Sequence, residues 1–224
     1  MLSLLVRFVL GPLVRALYRP RVVGVENVPE HGPVLLAANH RAALDTGVIT
    51  FSTPRKVRFL GKAEYFTGKG IKGRFIAKSL DALGYVPVER GNAQAGLAAL
   101  EAGRKVLQGG GVFAIYPEGT RSLDGRLHRG HTGVAALALS TGAKVVPVAL
   151  SGTEGLQPNG ARIPRPAKIQ VRFGTPLDFS RYEGQDSAPV IRRSVTDEIM
   201  YAILELSGQE YVDTYHKRPD EKSA

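Results

Sequence analysis

The sequence contains no cysteine. Disulfides, thiolate catalysis and cysteine-based zinc sites are therefore excluded, and the absence fits a cytosolic protein. Acidic residues are scarce: 20 Asp plus Glu stand against 30 Lys plus Arg, a formal net charge of +10 in 224 residues. That imbalance favours an anionic partner: nucleic acid, an anionic membrane surface, an acidic carrier protein or a phosphorylated substrate. No uninterrupted apolar run reaches the ~20 residues that a transmembrane helix needs. No signal-peptide cleavage pattern is present. A G-x-x-x-x-G-K-[ST] loop and a G-x-S-x-G elbow are both missing, so a phosphate-binding loop of that type and a serine-hydrolase nucleophile are not available. No helix-turn-helix, RRM or zinc pattern supports nucleic acid as the partner, and nothing indicates a metal. Repeats and linkers are absent too, which points to one α/β domain.

The most apolar stretch is 1–18, with Arg7 and Arg15 inside it. Ser3, Arg7, Gly11, Arg15 and Arg19 recur every four residues, a polar stripe on an otherwise apolar helix. This describes a helix in a membrane interface, over residues 1–20, with arginines toward phosphates. The plainer possibility is a helix packed on the domain's own core. Residues 21–207 form the expected catalytic domain and 208–224 a polar, loosely ordered tail.

Apolar runs predict strands over 21–25, 33–37, 57–60, 85–88, 112–116, 144–150 and 168–173. Helices are predicted over 44–51, from Asn92 to about 108 with Leu97, Leu100 and Val106-Leu107 as anchors, over 132–140, and over 189–206 with Val190, Ile191, Val195, Ile199, Ile203 and Leu206 inward. The fold expected is a single domain with a central mostly parallel or mixed sheet flanked by helices, plus the N-terminal amphipathic helix. Residues 55–78 carry eight cations against only Glu64, with aromatics interleaved. Lys62, Lys69, Lys72 and Arg74 belong to this basic face, which suits an anionic membrane or an acidic protein. A solvated surface is the ordinary alternative. Gly68, Gly70 and Gly73 match G-x-G-x-x-G, but no strand immediately precedes them and no acidic residue follows at the right place, so a dinucleotide site is rejected.

Chemistry gathers where strands end. His40 and Asp45 follow the 33–37 strand. On a continuous helix, residues five apart point about 140° away from one another. The pair meets only if the chain turns first and becomes helical later. A carboxylate on one imidazole nitrogen then fixes the tautomer and leaves the other nitrogen as a base. In the ordinary reading His40 is a polar turn residue and Asp45 a helix cap. Arg90 stands at the end of a second strand, and Glu118-Gly119-Thr120-Arg121 at the end of a third. Arg90 and Arg121 suit a phosphate monoester, or are two more surface arginines. Gly119 lets backbone approach a ligand.

Asn39-His40 through Asp45, Gly84 through Arg90, and Tyr116 to Ser122 occur in the order and spacing of the first three conserved blocks of the glycerolipid acyltransferases of the lysophosphatidate type. Val146-Pro147-Val148 stands where a fourth, weaker block falls. Over about 23–171 the chain resembles that family. Pro87 takes a place where Phe is usual. The resemblance implies transfer of a fatty acyl group from a thioester, on coenzyme A or acyl carrier protein, to a glycerol hydroxyl of 1-acylglycerol 3-phosphate. It implies no cofactor and no metal. His40 is then the general base and Asp45 its orienter. Arg90, Glu118, Gly119, Thr120 and Arg121 are expected around the acceptor's phosphate and glycerol, with Glu118 holding the arginines or the acceptor hydroxyl. Lys62 is a candidate contact for the donor or lipid. Glycerol 3-phosphate or another lysophospholipid is an open alternative acceptor, and a basic membrane-binding module without activity is the rival from another class. The expected location is peripheral, on the cytoplasmic face of the cell membrane.

Overall fold

The structure is a computed structural model that describes residues 18–68, 70–88, 93–156 and 165–216, leaving out the side chains of Lys62, Ile71, Lys72, Ala93 and Gln94. The expected N-terminal helix falls almost wholly outside the described residues, as do Lys69 and Arg90. Among the described residues no helix is long and apolar enough to cross a membrane.

The strands are β1 (Arg21–Val23), β2 (Val34–Ala38), β3 (Val57–Lys62), β4 (Tyr85–Val88), β5 (Val112–Ile115), β6 (Leu127–His128), β7 (Lys144–Ser151), β8 (Gln170–Phe173) and β9 (Tyr211–Val212). The helices are α1 (Asp45–Ser52), α2 (Gly70–Ala82), α3 (Ala93–Gln108), α4 (Gly133–Thr141), α5 (Thr153–Leu156) and α6 (Pro189–Ser207). Seven strands form one sheet in the order β1-β8-β7-β2-β5-β3-β4. β7, β2, β5, β3 and β4 run parallel, and β8 turns antiparallel to β7. The sheet is mostly parallel and mixed, as the pattern of apolar runs predicts.

β2 lies at the centre, between β5 and β7. All five of its residues are fully buried, which is why it reads as an unbroken apolar run rather than an alternating one. Alternate residues face opposite layers. Val34, Leu36 and Ala38 join Ile49 of α1, Phe59 and Val148 on one side. Leu35 and Ala37 join Leu137 of α4, Phe113, and Val195, Ile199 and Ile203 of α6 on the other. The α6 positions recur at helical spacing and form its buried stripe. Two predicted anchors lie elsewhere. Leu97 is exposed because it stands two residues, about 200°, round α3 from buried Ala95. Val190, in the first turn of α6, is exposed as well.

α2 and the β6–β9 pair are additions to the predicted elements. α2 is mostly exposed along its length, so it lacks the apolar stripe by which helices are recognised. β6 and β9 are two residues each, and their parallel pairing ties the segment after α6 back to the loop after β5. Of the tail, the described residues 208–216 contact the domain through Gln209, β9 and Tyr215.

Gly84, the first residue of the second block, has a structural reason to be glycine. Its φ is +94°, and a Cβ there would stand 2.0 Å from the Val57 carbonyl oxygen. Its own carbonyl accepts the Phe59 N–H at 3.0 Å, starting the β3–β4 pairing. Gly84→Ala should destabilise by ~2 kcal/mol or more through φ strain and backbone collision. Gly96→Ala in α3, with nothing within 4 Å, should stabilise by up to ~1 kcal/mol. Urea midpoints of the two variants against the parent check both signs.

Candidate active site at the ends of β2 and β5

The register sets Ala37 of β2 beside Ile115 of β5 and Pro147 of β7. The chain beyond Ala38 and the chain beyond Ile115 thus leave the sheet side by side. The carboxyl ends of parallel strands are where open α/β sheets place their sites. Residues 39–44 turn before α1 begins at Asp45, as the five-residue spacing requires.

Asp45 is fully buried. Its Oδ2 accepts from the Arg41 N–H at 2.6 Å, from the Ala42 N–H at 2.8 Å, and lies 2.8 Å from His40 Nδ1. An oxygen already receiving two backbone donors acts as acceptor toward the ring as well. Nδ1 then carries the proton, and Nε2 keeps its lone pair. The tautomer is assigned from this network. The His40 side chain is 17% exposed, so the ring is held by protein yet reachable from solvent. It stacks on Tyr116, with centroids 3.9 Å apart and planes 10° off parallel. The Tyr116 hydroxyl lies 3.1 Å from Thr46 Oγ1, and burial pushes its phenol well above the ordinary value. Tyr116 therefore serves as a neutral wall.

Glu118 points into the protein. It is 1% exposed. Its Oε1 accepts the His128 N–H at 2.9 Å and its Oε2 the His40 N–H at 3.3 Å. Among the described residues it pairs with no arginine. The carboxyl is turned inward and spans two backbone segments, and the Ser122 N–H donates to the His40 carbonyl at 2.8 Å from the same loop. His40 is thus gripped at both its backbone groups. Burial raises the Glu118 carboxyl to about 7, although the two backbone donors pull the other way.

Gly119 and Arg121 are exposed, and Thr120 is half-buried, on the loop after β5. A Cβ at Gly119 would come within 3.0 Å of the His131 ring, so a larger residue would crowd this turn. Arg121 makes no ion pair with another described residue. Arg74 is exposed on α2, while Lys62 and Lys72 are described by their backbone alone, in β3 and α2. The structure therefore brings His40, Asp45, Glu118 and the Gly119–Arg121 turn together, and leaves Arg90 and Lys69 unplaced.

Four supporting residues escaped sequence reasoning. Asn39, fully buried, donates to the Leu150 carbonyl at 3.0 Å and accepts the Leu150 N–H at 2.7 Å, lacing the end of β2 to β7. It also donates to Gln209 Oε1 at 2.7 Å, while Gln209 Nε2 donates to the Gly125 carbonyl at 2.7 Å. His131 donates its backbone N–H to the Pro117 carbonyl at 2.8 Å and stacks on Tyr215 at 4.6 Å. Asn39 stood in the first block without an assigned task. Gln209 and Tyr215 lie in a polar tail with no pattern to mark them.

Comparison with known proteins gives consistent results. Residues 19–151 match the family described as Acyltransferase. A 1-acyl-sn-glycerol-3-phosphate acyltransferase of Chlamydomonas reinhardtii is 31% identical over 198 residues, covering 86% of this chain and 58% of that protein. A chloroplastic 1-acyl-sn-glycerol-3-phosphate acyltransferase of Arabidopsis thaliana is 30% identical over 166 residues, with coverages of 73% and 45%. The chain spans about half the length of these curated relatives. The crystal structure of the 1-acyl-sn-glycerophosphate acyltransferase PlsC from Thermotoga maritima superposes with a TM-score of 0.63 at 25% identity, covering 88% of this chain and 76% of that one.

The buried Glu118 makes stability depend on pH. A carboxyl raised from 4.5 to about 7 on folding binds its proton more tightly when folded. Its contribution is therefore fully present below about 4.5 and is lost as pH rises through about 7. The swing is on the order of 3 kcal/mol at ~1.4 kcal/mol per pKa unit. Glu118→Gln should flatten that decline, as seen in urea unfolding of both proteins at about pH 5 and about pH 8. An equal decline in the variant would place the titrating group elsewhere.

Proposed function

Since this chain belongs to the acyltransferase family, we propose that it moves a fatty acyl group from a thioester to the free hydroxyl of 1-acylglycerol 3-phosphate, yielding phosphatidate. The observation that carries the reading is the His40–Asp45 pair, a buried carboxylate oxygen 2.8 Å from Nδ1 with Nε2 left open. A thioester is already activated, so the missing element is a base for the attacking hydroxyl. As the acceptor oxygen bonds to the thioester carbonyl carbon, Nε2 takes the hydroxyl proton. Asp45 stabilises the imidazolium that forms. The tetrahedral intermediate collapses, the C–S bond breaks, and the imidazolium returns the proton to the departing thiolate. The ester and a free thiol result, and His40 is again neutral.

Arg121, exposed on the loop after β5, supplies a cation for the acceptor's phosphate. Arg90 takes the same task in this reading, and the Gly119-Thr120 turn lines the glycerol. Glu118 positions the backbone of His40 and stays off the substrate. The donor is acyl-coenzyme A or acyl carrier protein, both anionic, matching the +10 net charge. On α2, Phe75 is 64% and Ile76 51% exposed beside Arg74 and Lys78. This mixture of apolar and basic side chains supports a peripheral protein held on an anionic membrane face, with the acceptor drawn from the lipid.

Thiol release from palmitoyl-coenzyme A by purified protein in detergent tests the reaction. It should depend on added lysophosphatidate and fall ~10²-fold or more in His40→Ala with the circular dichroism unchanged. A normal rate in that variant would refute the base assignment. Faster turnover with glycerol 3-phosphate or another lysophospholipid would change the acceptor and keep the chemistry. Arg121→Ala should raise KM for the phosphorylated acceptor about tenfold, equivalent to ~1.4 kcal/mol. The same loss with an unphosphorylated analogue would argue against phosphate recognition.

A further inference from the structure

A second polar cluster lies behind the loop that carries Arg121. Asp124, His128 of β6 and His216 of the C-terminal segment each offer a donor atom, all within 4.8 Å of one another. His128 Nε2 is 3.1 Å from both Asp124 carboxylate oxygens. The His128 side chain is 6% exposed, and the two imidazoles lie 4.3 Å apart, tilted by 40°. His128 Nδ1 and His216 Nε2 are both buried without a hydrogen-bond partner among the described residues. Buried polar atoms are normally paired; since one ion takes one nitrogen of each ring and His128 meets Asp124 through Nε2, the orphan that an ion beside that carboxylate would satisfy is His216 Nε2.

We propose that Asp124, His128 and His216 bind a divalent first-row transition-metal ion, zinc in preference to the others. Two imidazoles and one carboxylate are donors of intermediate softness, the set that zinc takes with three protein ligands and water in fourth place. Calcium and magnesium call for oxygen donors. In a tetrahedral zinc site, bonds of ~2.0–2.1 Å separate neighbouring ligand atoms by ~3.3 Å, close to the nitrogen–oxygen spacing already present. Asp124 is oriented by its other contacts: the Ser122 hydroxyl at 3.0 Å, the Arg126 N–H at 3.1 Å, and the Arg126 guanidinium at 2.8 and 3.0 Å. Hydrogen bonds of this kind fix a ligating carboxylate. The guanidinium is the charged competitor for Oδ2, and Arg126, 44% exposed, has room to withdraw.

The ion would add a further link among three pieces of chain already joined by the β6–β9 pairing and by Gln209: the loop after β5, β6, and the segment that carries Gln209 and β9. The backbone N–H of His128 is held by Glu118, whose second oxygen holds His40. The ion therefore stiffens the frame of the proposed base without taking part in acyl transfer. The inference is independent of which acyl acceptor is used.

The test uses the whole chain, stripped with chelator and titrated with zinc chloride. Elemental analysis after desalting should find one zinc per chain, and the thermal midpoint should rise by about 5 °C or more at saturating zinc. Magnesium and calcium should leave it unmoved. His216→Ala should weaken zinc binding more than tenfold while retaining the parent's circular dichroism, and His31→Ala, in an exposed turn, should bind as the parent does. Cobalt(II) in the unmutated protein should give the intense visible absorption of a four-coordinate site, a readout that requires no variant to fold. Zinc absent from the parent, binding unaltered in His216→Ala, or a weak six-coordinate cobalt spectrum would each overturn the proposal.

Discussion

The Asp45 carboxylate, sealed at the start of α1, is the group on which the site depends. Its Oδ2 gathers two backbone N–H groups and the His40 ring. Without it the turn would hold two buried donors with no acceptor, at ~1–3 kcal/mol each. The turn after β2 and the orientation of the imidazole are therefore one event. A local chain reversal and a tautomer are set by the same oxygen. The other oxygen, Oδ1, is buried and has no partner among the described residues, so the carboxylate is held from one side only.

Around that turn the fold builds a frame from buried polar side chains that reach backbone. Asn39 ties the end of β2 to Leu150 of β7. Glu118 ties His40 to His128, and Ser122 closes on the His40 carbonyl. Each joins chain segments far apart in sequence, and each is enclosed where water competes little. These contacts fix the backbone on which the His40 ring is carried, which a hydrophobic core alone does not do for a residue at a strand end. The burial that makes Glu118 effective as a brace also raises its pKa, so the brace is sensitive to pH.

The C-terminal segment has a larger part than its composition suggests. Gln209 bridges Asn39 and Gly125, β9 pairs with β6, and Tyr215 stacks on His131. A polar segment of this kind adds little apolar burial. Its contacts satisfy polar groups around the candidate site, which links the end of the described chain to the ends of β2 and β5.

The apolar runs of β2, β5 and β7, the helical stripe of Val195, Ile199 and Ile203, and the first and third polar blocks at strand ends were all determined by the sequence itself. The reason is that burial on both sheet faces, or along one helix face, leaves a local signature. The five-residue spacing of His40 and Asp45 also stated its own condition, a turn before a helix, and the structure meets it. What the tertiary structure alone decided is which side chains meet across long separations. Glu118, expected to hold arginines or the acceptor hydroxyl, accepts from the backbones of His40 and His128, contacts that no local pattern announces. Leu97 looked like a core anchor and faces outward. α2 and the short β6–β9 pair had no periodicity to reveal them. Residue type and spacing encode what an element buries, but a contact such as Asn39 with Gln209, or Asp124 with His216, exists only once the sheet has fixed the distance between segments that the chain itself leaves free.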